Sequence, residues 1–114
     1  MGRRRSLGPT VRRGEIWIAD VGREPRPVLV VTRDEVLDVR TNVTVAEITT
    51  QARGLAVEVP IDTDTGIHQP SVVNCDGLHT VSQQRLTQRL GSLDSGTLDE
   101  ICAATAVALG CDRD

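Results

Sequence analysis

The sequence has almost no aromatic residues. Trp17 is the only one among 114 residues, and there is no Phe or Tyr. Proteins that hold single-stranded nucleic acid commonly stack the bases on aromatic rings. SH3-type grooves also need clustered aromatic residues to bind proline-rich peptides. An RRM- or OB-type stacking surface is therefore disfavoured, and so is a plain SH3-like peptide-binding module.

Lysine is also missing, so all 13 basic residues are arginine. An arginine side chain makes two parallel hydrogen bonds to a carboxylate or a phosphate, which a lysine ammonium does not. The arginine codons of a GC-rich coding sequence account for most of this bias without any functional reason. The formal net charge of -3 argues against a polycation that binds duplex nucleic acid through its total charge.

Cysteine is scarce and long apolar runs are absent. Cys75, Cys102 and Cys111 are odd in number and lack metal-ligand spacing. They predict free thiols in a reducing cytoplasm rather than a disulfide scaffold. No run approaches the roughly 18 apolar residues of a transmembrane helix. Residues 1–10 carry three arginines but no apolar core, so they predict a disordered basic tail rather than a secretory signal.

The most informative stretch runs from Arg26 to Asp34. An arginine and a proline precede four apolar residues, which predicts a strand over 27–32 that is buried on both faces. Pro27 cannot donate to a ladder, so it belongs at the start of this strand. Arg26 then lies at the strand mouth, where the following proline favours extended backbone. Such a guanidinium can bind a phosphate, although an arginine considered alone is more often an ordinary surface charge.

The other elements follow from hydrophobic periodicity and turn residues. We predict strands at 14–20, 42–50, 55–61, 71–75, 79–81 and 89–93, and a single helical turn at 34–38 with Asp34 as its cap. Pro60 predicts that its strand lies at a sheet edge. A final helix runs to Leu109, with Asp94 as N-cap and Gly110 as C-cap. Its inward face is expected to hold six residues: Leu98, Ile101, Cys102, Thr105, Ala108 and Leu109.

These elements predict one domain over residues 11–110, followed by a tail at 111–114. The fold class is mainly β with a terminal α-helix. Short strands in succession favour a small, curved antiparallel barrel or half-barrel with the helix packed against it. A parallel Rossmann-type sheet is disfavoured because helices do not alternate with strands.

Four segments in this order carry a recognisable pattern. They are Arg13-Gly14-Glu15-Ile16-Trp17, then Arg26-Pro27-Val28-Leu29-Val30-Val31, then Ile48-Thr49, and finally Ser71-Val72-Val73-Asn74-Cys75-Asp76 with His79-Thr80-Val81. Together they resemble the MazF/PemK (Kid) family of toxin endoribonucleases over about 11–110. The short first loop, Ile48-Thr49-Thr50 and Arg53-Gly54-Leu55 are similar to an actinobacterial-type branch.

The resemblance implies an SH3-like (CcdB/MazF-type) barrel that forms a homodimer in the cytoplasm. It implies cleavage of single-stranded RNA (mRNA, tRNA or rRNA) at a short sequence, with no metal, cofactor or membrane. Attack by the 2′-hydroxyl would leave a 2′,3′-cyclic phosphate and a 5′-hydroxyl. The implied partner is a cognate antitoxin whose C-terminal segment lies in the RNA groove.

The family pattern also assigns roles to particular residues. Arg26 and Thr49 would be catalytic, with Arg26 stabilising charge on the phosphorane and Thr49 bonding the scissile phosphate. Neither side chain is suited to act as a general base, so the base is unassigned. RNA binding is implied for five further residues: Arg23, Thr50, Arg53, Asp76 and His79. His79 stands where the family often has arginine, which favours phosphate or base contact over proton transfer.

Two departures from the family pattern affect the substrate. The loop before Arg26 is reduced to about residues 21–25, whereas many relatives carry a longer one that folds over RNA or antitoxin. Gly77 stands where a Gln often follows the carboxylate.

The competing function is a non-catalytic, CcdB-like gyrase inhibitor on the same fold. It would act through its terminal helix and would not need Arg26.

Overall fold

The computed structural model describes residues 11–20, 22 and 24–111, which form six strands, two α-helices and two short 3₁₀ turns. The elements in chain order are β1 (Glu15–Ala19), β2 (Arg26–Val30), α1 (Asp34–Leu37), β3 (Asn42–Thr49), β4 (Glu58–Ile61), β5 (Ser71–Ser82), β6 (Leu86–Ser92) and α2 (Ser95–Leu109). The predicted basic tail at 1–10 lies outside the described residues, as do residues 112–114 of the predicted C-terminal tail. Within the described chain, neither helix has the length and apolar character needed to cross a membrane.

All six strands belong to one antiparallel sheet. Their spatial order is β4-β5-β3-β2-β1-β6, so β4 and β6 are the two edges and the sheet does not close on itself. The prediction of an antiparallel β fold with a terminal helix is confirmed, as is the edge position of the strand that contains Pro60. The sheet is therefore the open form of the barrel architecture that the sequence predicted.

The sheet has a hydrophobic core on each face. Leu29 of β2 belongs to the cluster that α2 covers, together with Ile16 and Ile101. Val28 and Val30 point the other way, because successive side chains of a strand alternate between faces, and they pack with Trp17 in the second cluster. β2 is thus buried on both faces, as predicted.

Helix α2 begins and ends where the sequence predicts. The Asp94 side chain accepts a hydrogen bond from the Thr97 backbone N–H at 2.7 Å, and Gly110 ends the helix in the left-handed region with φ 75°. The predicted inward face is only partly right. Ile101 is buried, but Cys102 and Leu109 are exposed. Because α2 packs on β4 and β5 at one side of the sheet, a narrow stripe of the helix suffices to cover it.

Three local predictions were wrong. The cap of α1 is Arg33, and Asp34 instead accepts a hydrogen bond from the Arg13 N–H at 2.8 Å. The strand predicted from 55 begins only at Glu58, since the Glu58 carboxylate binds the Arg53 and Leu55 backbone amides and holds that segment as a loop. The two strands predicted at 71–75 and 79–81 are one strand, β5, interrupted by a bulge.

Candidate functional site

An open groove of about 720 Å³ lies over β2, β3 and β5. The loop that follows β3 forms one of its walls. The lining combines basic, hydroxyl, acidic and apolar side chains: Arg26, Pro27, Val28, Val45, Glu47, Ile48, Thr49, Gln51, Ala52, Arg53, His79, Thr80 and Val81, with the backbone of Gly22. The groove therefore brings Arg26 together with three other predicted site residues: Thr49, Arg53 and His79.

Arg26 and Thr49 share this groove because of strand register. Val28 of β2 pairs with Glu47 of β3, and directly opposed residues of an antiparallel pair project from the same face. Continuing this register by two residues on each strand sets Arg26 opposite Thr49. This continuation of the register, together with the groove that both residues line, places the two predicted catalytic residues on one face at the end of the β2–β3 pair.

The Thr49 hydroxyl is oriented by its own loop. Its Oγ1 accepts a hydrogen bond from the Gln51 backbone N–H at 3.1 Å. A hydroxyl that accepts in this way keeps its proton to donate. Arg26 beside it is exposed, so its guanidinium is accessible from the groove. The pair offers several hydrogen-bond donors to one anionic group.

His79 enters the same face through the β3–β5 pairing. It lies opposite Val45, and its Nε2 is 2.5 Å from Oε2 of Glu47. About half of each side chain remains exposed to the groove. Glu47 was missed by the sequence analysis, although one signal was available. It lies two residues before Thr49 on a strand, and this spacing places both side chains on one face.

A bulge in β5 separates Asp76 from the residues that line the groove. Ala46 pairs with Leu78, but the next residue, Glu47, pairs with Asn74, so residues 75–77 have no partner in the ladder. Bulges re-aim side chains in this way. Asp76 is exposed, its backbone N–H donates to Asn74 Oδ1 at 3.0 Å, and it does not line the groove. Its predicted contact with RNA stays a prediction.

The loop wall is anchored by Glu58. Its carboxylate accepts hydrogen bonds from the backbone N–H of Leu55 at 3.1 Å and of Arg53 at 2.9 Å, with the Arg53 guanidinium 4.0 Å away. The Leu55 hydrogen bond is the largest cause that lowers the pKa of Glu58 below its ordinary value, and the Arg53 amide and charge lower it further. Arg53 is thereby held at the groove. Thr50 is exposed next to Thr49 without lining the groove, and Arg23 lies outside the described residues.

The chain matches a known protein family over most of its length. Residues 12–109 match the model of the PemK-like, MazF-like toxins of type II toxin–antitoxin systems. The chain belongs to this toxin family. The resemblance predicted from the four sequence segments is therefore confirmed.

Two curated relatives of this MazF-family chain are from Mycobacterium tuberculosis, in agreement with the predicted actinobacterial branch. Endoribonuclease MazF3 is 53% identical over 68 residues, a match that covers 60% of this chain and 66% of MazF3. Probable endoribonuclease MazF5 is 40% identical over 105 residues, which cover 89% of this chain and 94% of MazF5.

Solved structures confirm the MazF-type fold. The Mycobacterium tuberculosis toxin MazF-mt6 superposes with a TM-score of 0.82 at 42% identity, over 87% of this chain and 99% of that one. A mycobacterial endoribonuclease in complex with its cognate antitoxin superposes with a TM-score of 0.83 at 25% identity, over 91% of this chain and 99% of that one. These similarities do not favour the CcdB-like alternative.

Proposed function

We propose that this chain is an endoribonuclease toxin that cuts single-stranded RNA at a short sequence without a metal ion. The observation that carries the proposal is the placement of Arg26 and Thr49 on one face of the sheet, in one open groove. The similarity to curated mycobacterial endoribonucleases supports it.

The reaction needs little from the protein because RNA supplies its own nucleophile. The 2′-oxygen forms a bond to phosphorus, the bond from phosphorus to the 5′-oxygen breaks, and a 2′,3′-cyclic phosphate and a 5′-hydroxyl result. The 2′-hydroxyl proton leaves to a base, and the 5′-oxygen gains a proton. Arg26 donates to the non-bridging oxygens as negative charge develops, and Thr49 donates to the same phosphate. Each preorganised donor of this kind is worth about 3–4 kcal/mol.

The groove accounts for a preference for single strands. Its lining has no Phe, Tyr or Trp, so bases are held by the partly exposed apolar side chains of Pro27 and Val81 and by hydrogen bonds to their edges. Arg53 and His79 lie along the same groove and offer contacts to the sugar–phosphate backbone or the bases. The paired bases of a duplex would not present these edges, whereas unstacked single-stranded bases do. Messenger, transfer and ribosomal RNA all contain such segments.

The proposed partners are a second copy of this chain and a cognate antitoxin. The fold similarity to a toxin–antitoxin complex supports the antitoxin. Its C-terminal segment would occupy the groove and exclude RNA by competing for the same contacts. All three cysteines are free, which suits a reducing cytoplasm.

The test is cleavage of a diverse RNA pool by the purified chain in EDTA. We expect fragments with 5′-hydroxyl ends, which become ligatable only after a kinase phosphorylates them, and primer extension then maps the cut sites. RNA that stays intact across the pool, or cleavage that EDTA stops and Mg²⁺ restores, would contradict the proposal. Growth arrest that persists in Arg26→Ala would instead favour a gyrase inhibitor.

A further inference from the structure

Glu47 places a negative charge in a groove that, under the proposed function, binds a polyanion. Its side chain is 48% exposed and lines the groove together with Thr49 and Arg26. A carboxylate is repelled by phosphate, so it weakens RNA binding unless it faces hydrogen-bond donors. The donors that RNA offers are the N–H groups of its bases and the sugar hydroxyls.

The position of Glu47 suits contact with a base beside the cleavage point. Two residues of strand separate it from Thr49, which is about 7 Å. It also lies diagonally across the β2–β3 pair from Arg26, because its direct partner is Val28. A phosphate held by Arg26 and Thr49 therefore leaves Glu47 next to a neighbouring nucleotide.

The carboxylate is held in a defined place by its surroundings. A carboxylate oxygen only accepts, so the His79 Nε2 donates to Oε2 over 2.5 Å. On the other side, Oε1 lies over the backbone of Gly77, where an added Cβ would come within 2.9 Å of it. The bulge at 75–77 thus provides space for the carboxylate, and Gly77 keeps that space open.

We propose that Glu47 is a specificity-determining residue that selects guanine at a nucleotide flanking the scissile phosphate. This inference rests on the proposed ribonuclease function. The two carboxylate oxygens present about four lone pairs, so Oε2 can bond His79 and still accept from RNA. Guanine alone places two adjacent donors, N1–H and N2–H, on its Watson–Crick edge. Adenine and cytosine set their amino group beside an acceptor, which the carboxylate repels.

The test compares Glu47→Gln with wild type on a randomised RNA pool, with the bases around each cut read by sequencing. Gln offers one acceptor and one donor, which match the N6–H and N1 of adenine. We expect the cut sites of wild type to be enriched in guanine at one position. In Glu47→Gln the ratio of guanine to other bases at that position should fall about 5- to 150-fold, the range for one bidentate base contact. The share of cuts with adenine at that position should rise.

Gly77→Ala and Glu35→Gln complete the comparison. Gly77→Ala displaces the carboxylate without removing its charge, so it should also relax the guanine preference. Glu35→Gln changes an exposed carboxylate of α1 outside the groove lining and should leave the cut pattern unchanged. Thermal unfolding of each variant confirms that it is folded.

Each remaining outcome overturns the inference. An identical cut pattern in wild type and Glu47→Gln refutes the role of Glu47 and leaves the ribonuclease function standing. A folded Glu47→Gln protein that cuts at no site assigns Glu47 to the chemistry instead of to base selection. A wild-type chain that cuts nothing in the pool removes the proposed function, and the inference falls with it.

Discussion

Replacing Arg26 by Ala should abolish most cleavage while leaving the fold intact. The side chain is exposed at the start of β2 and lies opposite Thr49 in the continued strand register. Loss of one preorganised donor to a developing oxyanion costs roughly 10²–10³-fold in rate, or about 3–4 kcal/mol. Because exposed substitutions away from packed or hydrogen-bonded features change the free energy of unfolding by about 0.5 kcal/mol or less, the loss should not come from unfolding. Arg26→Lys keeps the positive charge but not the planar guanidinium, so its cleavage rate should lie between those of Arg26→Ala and wild type.

The assay is single-turnover cleavage of an oligonucleotide that contains a mapped cut site, with enzyme in excess so that the rate reports the chemical step. Arg33→Ala is the matched control, because this exposed arginine caps α1 outside the groove lining. Denaturant unfolding of both variants measures stability. Cleavage by Arg26→Ala within tenfold of wild type, or an equal loss of activity in Arg33→Ala, would contradict the catalytic role of Arg26.

Further predictions concern the core, the thiols and the groove loop. Leu29→Ala should lower the free energy of unfolding by about 2–5 kcal/mol, because Leu29 is fully buried in the core; a loss below about 1 kcal/mol in urea titration would contradict this packing. Burial raises the pKa of the Cys75 thiol, so iodoacetamide should label Cys102 and Cys111 in the native protein and Cys75 only after unfolding, as counted by mass spectrometry. Glu58 has a lowered pKa in the folded state, so its ionised form stabilises the fold above its ordinary value of 4.5 and loses that effect as pH falls through the lowered value. Glu58→Gln should therefore lower the melting temperature at neutral pH, and the difference from wild type should shrink as the pH falls below 4.5 and through the lowered pKa of Glu58; a difference independent of pH would exclude this role.

The elements that sequence predicted well depend on local chemistry. The caps of α2 are an example, since an Asp before a helix and a Gly after it act on backbone groups within a few residues. The burial of β2 on both faces followed from four consecutive apolar residues. Arg26 and Thr49 were found because each stands within a short segment that resembles the toxin family.

The errors have a common cause in contacts between distant residues. The start of β4 depended on which groups Glu58 binds, and the exposure of Cys102 depended on how much of the sheet α2 covers. Two strands were predicted in place of β5 because a bulge interrupts its alternation. Glu47 was overlooked because its importance comes from His79, which is 32 residues away in the chain.

The family, the order of the elements and the arginine at the mouth of β2 could be predicted from the amino-acid sequence, because they depend on contiguous residues and their side-chain period. The three-dimensional fold was needed to show that the sheet stays open, that Arg26 shares one groove with Thr49, and that Glu47 and His79 line this groove while Asp76 does not. Each of these facts depends on strand register, and a single bulge changes which side chains share a face. The bulge lies in the pairing of β3 with β5, two strands separated by more than 20 residues of chain, so the sequence near either strand does not predict it.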